Sequence, residues 1–212
     1  KVRFALALKG LKYESEGTFP STKTPEYLAI NPLGKIPALE DAGLVICDSN
    51  VTIEYLEERY LEIPVRPSNI ADRVKSRWLE EYAGSMLFKP LAANIFMERL
   101  TRPYQRKIPA DESIVEDSIK NLVPPVFDYI ESQLPAEGFI SGKIGVVDMA
   151  VATAIINATY ADFKVDADCW PKVAAHLDLV MAHPAVVEIM KAEKPYISTL
   201  NHARNELMLQ EA

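Results

Sequence analysis

The sequence is poor in cysteine and histidine, and both shortages exclude classes of site. Its 212 residues contain two cysteines, too few for the disulfide framework of a small secreted domain. The three histidines, His176, His183 and His202, lack the spacing of a metal cluster, so we expect no metal site and place them at the surface or at helix ends. A chain with so few cysteines suits a reducing compartment, and we predict a cytoplasmic protein.

Long apolar runs and a surplus of basic residues are also missing. No apolar stretch approaches the roughly 20 residues that a membrane-spanning helix requires, and no signal-peptide pattern is present. The formal net charge of −7 argues against nucleic-acid binding, which depends on clustered lysine and arginine. A hydrophobic content of 49% indicates instead an ordinary packed interior. We therefore expect a soluble protein that binds neither membranes nor nucleic acid.

Caps and chain breakers predict a small α/β domain over residues 1–63. Gly10 ends a first helix, Thr24 and Pro25 form an N-cap followed by a proline at the first helical position, and Gly43 supplies a turn residue. The predicted elements are a helix over residues 1–10, a strand over 11–18, a helix over 25–30, a hairpin of residues 36–40 and 44–47, and a helix over 49–60.

The rest of the chain predicts an all-α domain. Two prolines follow the small domain and cannot continue its last helix, so we place a linker at about residues 62–69. Residues 70–212 show repeated helical spacing and no hairpin signal. Pro90 and the pair Pro124 and Pro125 interrupt helical runs, so we expect those helices to kink or restart there.

The first candidate binding element is the segment Lys35, Ile36 and Pro37. An X-Pro bond costs only about 0.5–1 kcal/mol to hold cis, and such a bond can present the Ile36 main chain to a short peptide. The dipeptide alone favours an ordinary trans proline that starts a strand. Lys35 is either a solvated surface lysine or the partner of a ligand carboxylate.

Asp48 and Ser49 form the second candidate element. Either residue is a common N-cap, and that is the ordinary role of such a pair. A helix N-terminus also binds anions, so Ser49 and nearby N–H groups suit a carboxylate while Asp48 suits an ammonium group. This opposite-sign arrangement fits a zwitterion. With the proline-fixed backbone it suggests glutathione, a short anionic peptide.

Several motifs carry a family resemblance. Residues 31–39 (NPLGKIPAL), 44–49 (LVICDS) and 53–56 (IEYL) resemble the second half of the thioredoxin-like domain of soluble glutathione transferases. Residues 145–150 (GVVDMA) resemble the helix start in the core of their all-helical domain. The resemblance covers nearly the whole chain. It implies a thioredoxin-like α/β N-terminal domain plus an all-α C-terminal domain, with the ligand in the crevice between them.

The resemblance also implies a role for most of the candidate residues. In similar proteins a cis bond such as that before Pro37 pairs the residue at Ile36 with the cysteinyl part of glutathione. Asp48 and Ser49 match the acidic-Ser pair at the glutathione site. For Lys35 the prediction comes from its charge and its place beside the proline, where it can meet the glycyl carboxylate. These five residues are the predicted glutathione site.

The residue that manages the glutathione sulfur is expected outside this sequence. In the family resembled, a Ser, Cys or Tyr lies in a loop ahead of the helix that begins this chain. We therefore expect the opening strand and the catalytic residue upstream of Lys1, and the small domain to be incomplete at its N-terminus.

The implied activity is transfer of glutathione, as co-substrate, to an apolar electrophile whose pocket the helical domain supplies. Homodimers are common among similar proteins, and we expect one here. Two alternatives stay open: a binding or regulatory protein of this fold without turnover, and a glutathione-dependent isomerase or dehalogenase on the same scaffold.

The remaining features are predicted to be structural. Asp148 follows Gly145 by three residues, so its carboxylate can cap the helix start as half of a capping box. Cys47 ends an apolar strand and is expected to be a small, buried, unreactive hydrophobe. Core positions are favoured over a ligand pocket for Met86, Phe88, Phe96, Met97 and Tyr104.

Overall fold

The computed structural model describes residues 1–17 and 23–211, and the chain divides into two compact units, Lys1–Val65 and Arg66–Ala212. The elements of the first unit are α1 (Val2–Leu8), α2 (Pro25–Ile30), β1 (Ala38–Asp41), β2 (Leu44–Cys47) and α3 (Ser49–Arg59). The second unit contains α4 (Ile70–Met86), α5 (Arg102–Arg106), α6 (Glu112–Asp117), α7 (Val123–Gln133), α8 (Val146–Tyr160), α9 (Pro171–Met181) and α10 (Pro184–Glu211), with π-helical segments at Phe88–Thr101 and Ser118–Leu122.

Helix α1 ends as its glycine predicts. Gly10 has a φ of +68°, and its N–H donates to the Ala7 carbonyl at 3.1 Å. The next N–H, that of Leu11, donates to the Leu6 carbonyl at 2.9 Å. These two bonds form a Schellman motif, which satisfies the last carbonyls of the helix and needs a left-handed residue at its turn. The predicted helix stop at Gly10 is confirmed.

The predicted hairpin is also confirmed, with a later start. Antiparallel pairing runs from Ala38 opposite Cys47 to Asp41 opposite Leu44. Ala42 and Gly43 form the two-residue loop with φ values of +52° and +83°. Positive φ at both loop positions gives the twist that matches the strands of a tight hairpin. The segment just before Ala38 stays outside the ladder.

The predicted strand over residues 11–18 is wrong where it can be checked. Residues 11–17 have no strand structure, and residue 18 lies outside the described residues. A strand requires a partner for its N–H and C=O groups. Within the described part of the chain, the sheet consists of β1 and β2 alone. The segment around Tyr13 therefore has the charge alternation of a strand but no neighbouring strand to pair with.

A buried lysine ties α1 to the end of α3. The Lys9 ammonium donates to the carbonyls of Tyr60 and Ile63 at 2.8 and 2.9 Å and forms an ion pair with Glu57 at 2.6 Å. Carbonyls at a helix C-terminus lack partners within the helix, and a cation there also complements the helix dipole. Lys9 is therefore a structural residue whose buried charge is fully paired.

The hairpin loop is tied to α3 from the other side. One oxygen of Asp41 accepts hydrogen bonds from the hydroxyl groups of Tyr60 and Tyr55, at 2.6 and 2.9 Å. These bonds, the Tyr60 bond first, hold the pKa of Asp41 below its usual value. The loop end of the hairpin is thereby fixed to the helix that begins just after β2.

Helix α8 forms the centre of the second unit. Ten of its 15 residues are buried and none is exposed, and it packs against α4 and the π-helical segment Phe88–Thr101. A helix that is apolar on every side is stable only when other helices surround it. The surrounding helices confirm the predicted all-α character of this part of the chain.

The proline interruptions predicted in this unit are confirmed as restarts. Helix α4 ends at Met86, and a π-type winding begins two residues before Pro90. Helix α7 begins at Val123 with Pro124 and Pro125 in its first turn, where the missing N–H groups would have no partner inside the helix.

No single described helix is long and apolar enough to cross a bilayer. Helices α9 and α10, bent by 78° at their junction, pass that test together on length and composition alone.

The capping role of Asp148 is confirmed, and its surroundings correct one prediction. Its carboxylate accepts from the N–H groups of Gly145 at 2.8 Å and Ile140 at 3.0 Å. Gly145 has no hydroxyl, so only this half of the capping box exists. His176, expected at a surface or helix end, is only 5% exposed and lies 2.9 Å from Asp148. A buried imidazole is stable there because the carboxylate provides its hydrogen-bond partner.

Candidate functional site

A buried asparagine shapes the loop between α2 and β1. The Asn31 amide donates to the Lys35 carbonyl at 2.6 Å, and its side-chain oxygen accepts from the Leu33 N–H at 3.0 Å. Its main-chain carbonyl accepts from the Gly34 N–H at 2.8 Å. Asn31 is 2% exposed. One side chain thus satisfies several polar groups of a loop that has no ladder or helix of its own.

The Ile36-Pro37 peptide bond is cis, as the resemblance implied. The Ile36 side chain is 65% exposed, unusual for a large aliphatic residue beside a core strand. Among the described residues, no group hydrogen-bonds to the N–H or C=O of Ile36. The neighbouring Lys35 side chain is exposed. The loop therefore presents the unpaired N–H and C=O of Ile36 beside the Lys35 cation.

Asp48 is the N-cap of α3. Its Oδ1 atom accepts from the N–H groups of Asn50 at 2.7 Å and Val51 at 3.4 Å. Over residues 1–17 and 23–211, no group donates a hydrogen bond to its Oδ2 atom. Its φ of +76° is a conformation that non-glycine residues adopt at a cost of about 1–3 kcal/mol and that clusters at functional sites. The capping role is thus filled by Asp48, not by Ser49.

Ser49 is the first residue of α3 and is half-buried. In the described part of the chain, neither its hydroxyl nor its main-chain N–H has a hydrogen-bond partner. The first N–H groups of a helix have no partner inside the helix, and the helix dipole makes that end attractive to anions. Ser49 therefore leaves two donors available at a positive helix end.

The hairpin register brings the two candidate elements together. Ala38, which follows Pro37, pairs with Cys47, which precedes Asp48. Directly opposed residues of an antiparallel pair have Cα atoms about 4.5–5.5 Å apart. The Ile36 main chain and the start of α3 therefore leave the hairpin from the same end. All five predicted site residues are flanking residues of this one strand pair.

The sequence reasoning missed several residues around this site. Tyr27 donates its hydroxyl to the Lys35 carbonyl at 2.9 Å, and Lys1 donates to the Asn50 side chain at 2.9 Å, joining the starts of α1 and α3. Asn31 had a usable signal, because an asparagine at a helix end often bonds the loop that follows. Tyr27 and Lys1 act across the fold and left no local pattern.

Two predictions about buried side chains need correction. Cys47 is half-buried, not buried, and its Sγ donates to the Ile30 carbonyl at 3.4 Å. The five residues assigned to the core of the second unit are also wrong: Met86, Phe88 and Met97 are exposed, and Phe96 and Tyr104 are half-buried. In a π-helix residues four or five apart share a face, so the core positions of that segment are Leu91, Ile95 and Leu100.

Comparisons with known proteins show which family the chain resembles. A protein-family model described as "Glutathione S-transferase, N-terminal domain" matches residues 1–59. A maleylacetoacetate isomerase from Pseudomonas aeruginosa is 31% identical over 204 residues, which cover 92% of this chain and 92% of the isomerase. Both matches include the loop, the hairpin and the start of α3.

Two solved structures extend the likeness to the whole fold. A glutathione S-transferase from Rhodospirillum rubrum F11 is 27% identical, with a TM-score of 0.76 over 87% of this chain and 83% of that one. A maleylacetoacetate isomerase from Methylobacterium extorquens AM1, determined with bound malonate and GSH, is 25% identical, with a TM-score of 0.67 over 88% of each chain.

Proposed function

Because the chain belongs to the soluble glutathione S-transferase family, we propose that it is a glutathione S-transferase that binds glutathione through residues of its first unit. The fold is the predicted one, a thioredoxin-like α/β domain followed by an all-α domain. Glutathione is the co-substrate. The five residues of the hairpin end are the proposed binding site.

The single observation that supports this site is the register of the hairpin. It gathers two sets of unpaired polar groups at one end of one strand pair, the main chain of Ile36 and the donors of Ser49. An extended peptide can add to an unpaired main-chain edge, and its terminal carboxylate can bind at a helix N-terminus. Glutathione is a tripeptide with an anionic group at each end, which matches this order of groups.

Each end of the ligand has a proposed partner. The γ-glutamyl carboxylate accepts from the Ser49 hydroxyl and N–H, and the adjacent ammonium faces the Oδ2 atom of Asp48. The cysteinyl main chain pairs with the N–H and C=O of Ile36, and the glycyl carboxylate faces Lys35. A charge-assisted hydrogen bond is worth about 1.5–3 kcal/mol, roughly twice a neutral one, so the two charged ends supply most of the affinity.

The reaction proposed is attack of the glutathione thiolate on an apolar electrophile. The thiolate is the nucleophile, whereas a free thiol has a pKa of about 8.5, so the enzyme must favour the anion. The exposed apolar side chains of the helical unit, among them Met86, Phe88 and Met97, are candidates for binding an apolar electrophile. We further propose a cytoplasmic homodimer.

A glutathione-dependent isomerase is the second candidate, and one observation favours it. The relative with 31% identity over 92% of this chain is a maleylacetoacetate isomerase. An isomerase must release glutathione unchanged, since its substrate and product have the same composition. A transferase consumes one thiol for each turnover. The two functions share the binding site and differ in the fate of the thiol.

Calorimetric titration of the full-length protein with glutathione tests the shared part. We expect saturable binding, and glutathione at about 100 times its Kd should stabilise the fold by about 2.7 kcal/mol. Absence of both effects at millimolar glutathione would overturn the proposal. Two probes then separate transferase from isomerase: an aryl halide as electrophile and a cis-enone diacid as isomerase substrate. A transferase consumes one thiol for each product molecule formed, whereas an isomerase forms product without loss of thiol. Turnover of neither probe by a protein that binds glutathione would favour the non-catalytic alternative.

A further inference from the structure

We infer that Tyr27 and Asn31 are positioning residues for the glutathione site, and that they act by fixing the direction of the Ile36 N–H. The inference rests on the proposed function. Neither side chain belongs to the predicted ligand contacts. Both donate hydrogen bonds to one atom, the carbonyl oxygen of Lys35, at 2.9 Å from the Tyr27 hydroxyl and 2.6 Å from the Asn31 amide.

The link between that carbonyl and the ligand is the planarity of one peptide unit. The Lys35 carbonyl and the Ile36 N–H belong to the same peptide group, and this bond is trans. In a trans peptide the C=O and N–H point in opposite directions and cannot rotate independently. Two donors that hold the carbonyl therefore also aim the N–H away from Tyr27 and Asn31.

The carbonyl is held unusually firmly for a loop. A carbonyl oxygen has two lone pairs, and here both are used by side chains that are themselves at least nine-tenths buried. Asn31 is further fixed because its side-chain oxygen accepts from the Leu33 N–H and its main-chain carbonyl accepts from the Gly34 N–H. The Ile36 N–H, at the other edge of the same peptide, has no partner in the described residues. This peptide group is thus fixed on its carbonyl side and unpaired on its N–H side, and a main-chain donor held in one direction before the ligand arrives is preorganised for binding.

Tyr27→Phe is the central test, since it removes one hydroxyl and keeps the ring. A net hydrogen bond contributes about 0.5–1.5 kcal/mol, so we expect the Kd of glutathione to rise roughly 2- to 13-fold if the freed peptide loses its orientation. Asn31→Ala, and the double variant, should weaken binding further. Tyr55→Phe is the matched control, because it also removes one tyrosine hydroxyl bond in the first unit, to Asp41. It should leave the Kd unchanged.

The two measurements that decide are Kd by calorimetry and Tm in the absence of ligand. A purely structural role predicts that Tyr27→Phe lowers Tm and leaves the Kd unchanged, as expected for Tyr55→Phe, and that result would overturn the inference. If Asn31→Ala does not fold, Tyr27→Phe still decides. If the unmodified protein fails to bind glutathione, the proposed function fails and the inference with it, a result distinct from binding that the variants do not alter.

Discussion

The Nε2 atom of His176 lies 2.9 Å from an oxygen of Asp148, although both side chains are buried. The same carboxylate accepts from the N–H groups of Gly145 and Ile140. One aspartate therefore joins the start of α8, the segment before it and helix α9.

Asp148→Ala should destabilise the protein strongly without changing the site. Removing one partner of a buried charged network leaves the other groups unpaired, which costs about 3–5 kcal/mol. Urea unfolding measures the loss, and calorimetry on the folded fraction should give the glutathione Kd of the unmodified protein. Asp117→Ala is the control, because Asp117 is exposed and its side chain bonds, among the described residues, to Asn121 alone; the change should cost less than about 1 kcal/mol. A selective loss of glutathione affinity in Asp148→Ala would contradict the structural role.

Local signals predicted much of the fold because they act within a few residues. Gly10, Thr24 with Pro25, and Gly43 each specify a cap or a turn by their own backbone preferences, and each prediction held. The predicted strand is absent over the described residues 11–17, since a ladder needs a partner that the local pattern does not contain.

Contacts between distant residues could not be predicted. The place of His176 depends on a carboxylate 28 positions earlier, and the role of Tyr27 depends on a carbonyl eight positions later. The π-type winding of Phe88–Thr101 places Leu91, Ile95 and Leu100 in the core and leaves Phe88 and Met97 exposed. The cis bond before Pro37 was predicted only through the family resemblance. The dipeptide alone favoured a trans bond, so its residues could not have predicted it.

Ser49→Ala should weaken glutathione binding far more than it destabilises the fold. Ser49 has no hydroxyl partner in the described part of the chain, and Asp48 already caps the helix. Loss of a hydrogen bond to a carboxylate costs about 1.5–3 kcal/mol, so we expect the Kd to rise roughly 13- to 160-fold. Stability should change by less than about 0.5 kcal/mol. Calorimetry and urea unfolding give the two numbers, with Ser68→Ala, at an exposed serine, as the control. Equal losses of affinity and stability would return Ser49 to a capping role.

Asp48→Asn should separate the charge of Asp48 from its capping function. Asparagine caps helices about as well as aspartate and tolerates positive φ, so the free energy of unfolding should change little. The variant lacks the negative charge proposed to face the glutathione ammonium, so the Kd should rise. Asp48→Ala removes both functions and should lower affinity and stability together. An unchanged Kd in Asp48→Asn would show that the ammonium binds elsewhere.

Tyr60→Phe should destabilise the protein in a pH-dependent way. The Tyr60 hydroxyl is the main cause of the lowered pKa of Asp41, followed by that of Tyr55. A carboxyl group with a lowered folded-state pKa contributes stability above its unfolded pKa, about 3.9 for aspartate, and loses it as pH falls through the folded value. The difference in unfolding free energy between the unmodified protein and Tyr60→Phe should therefore be constant near neutral pH and shrink below about pH 4. Urea unfolding at several pH values measures this. In an Asp41→Asn background the pH dependence of the Tyr60→Phe effect should vanish, and its persistence there would assign the effect to a group other than Asp41.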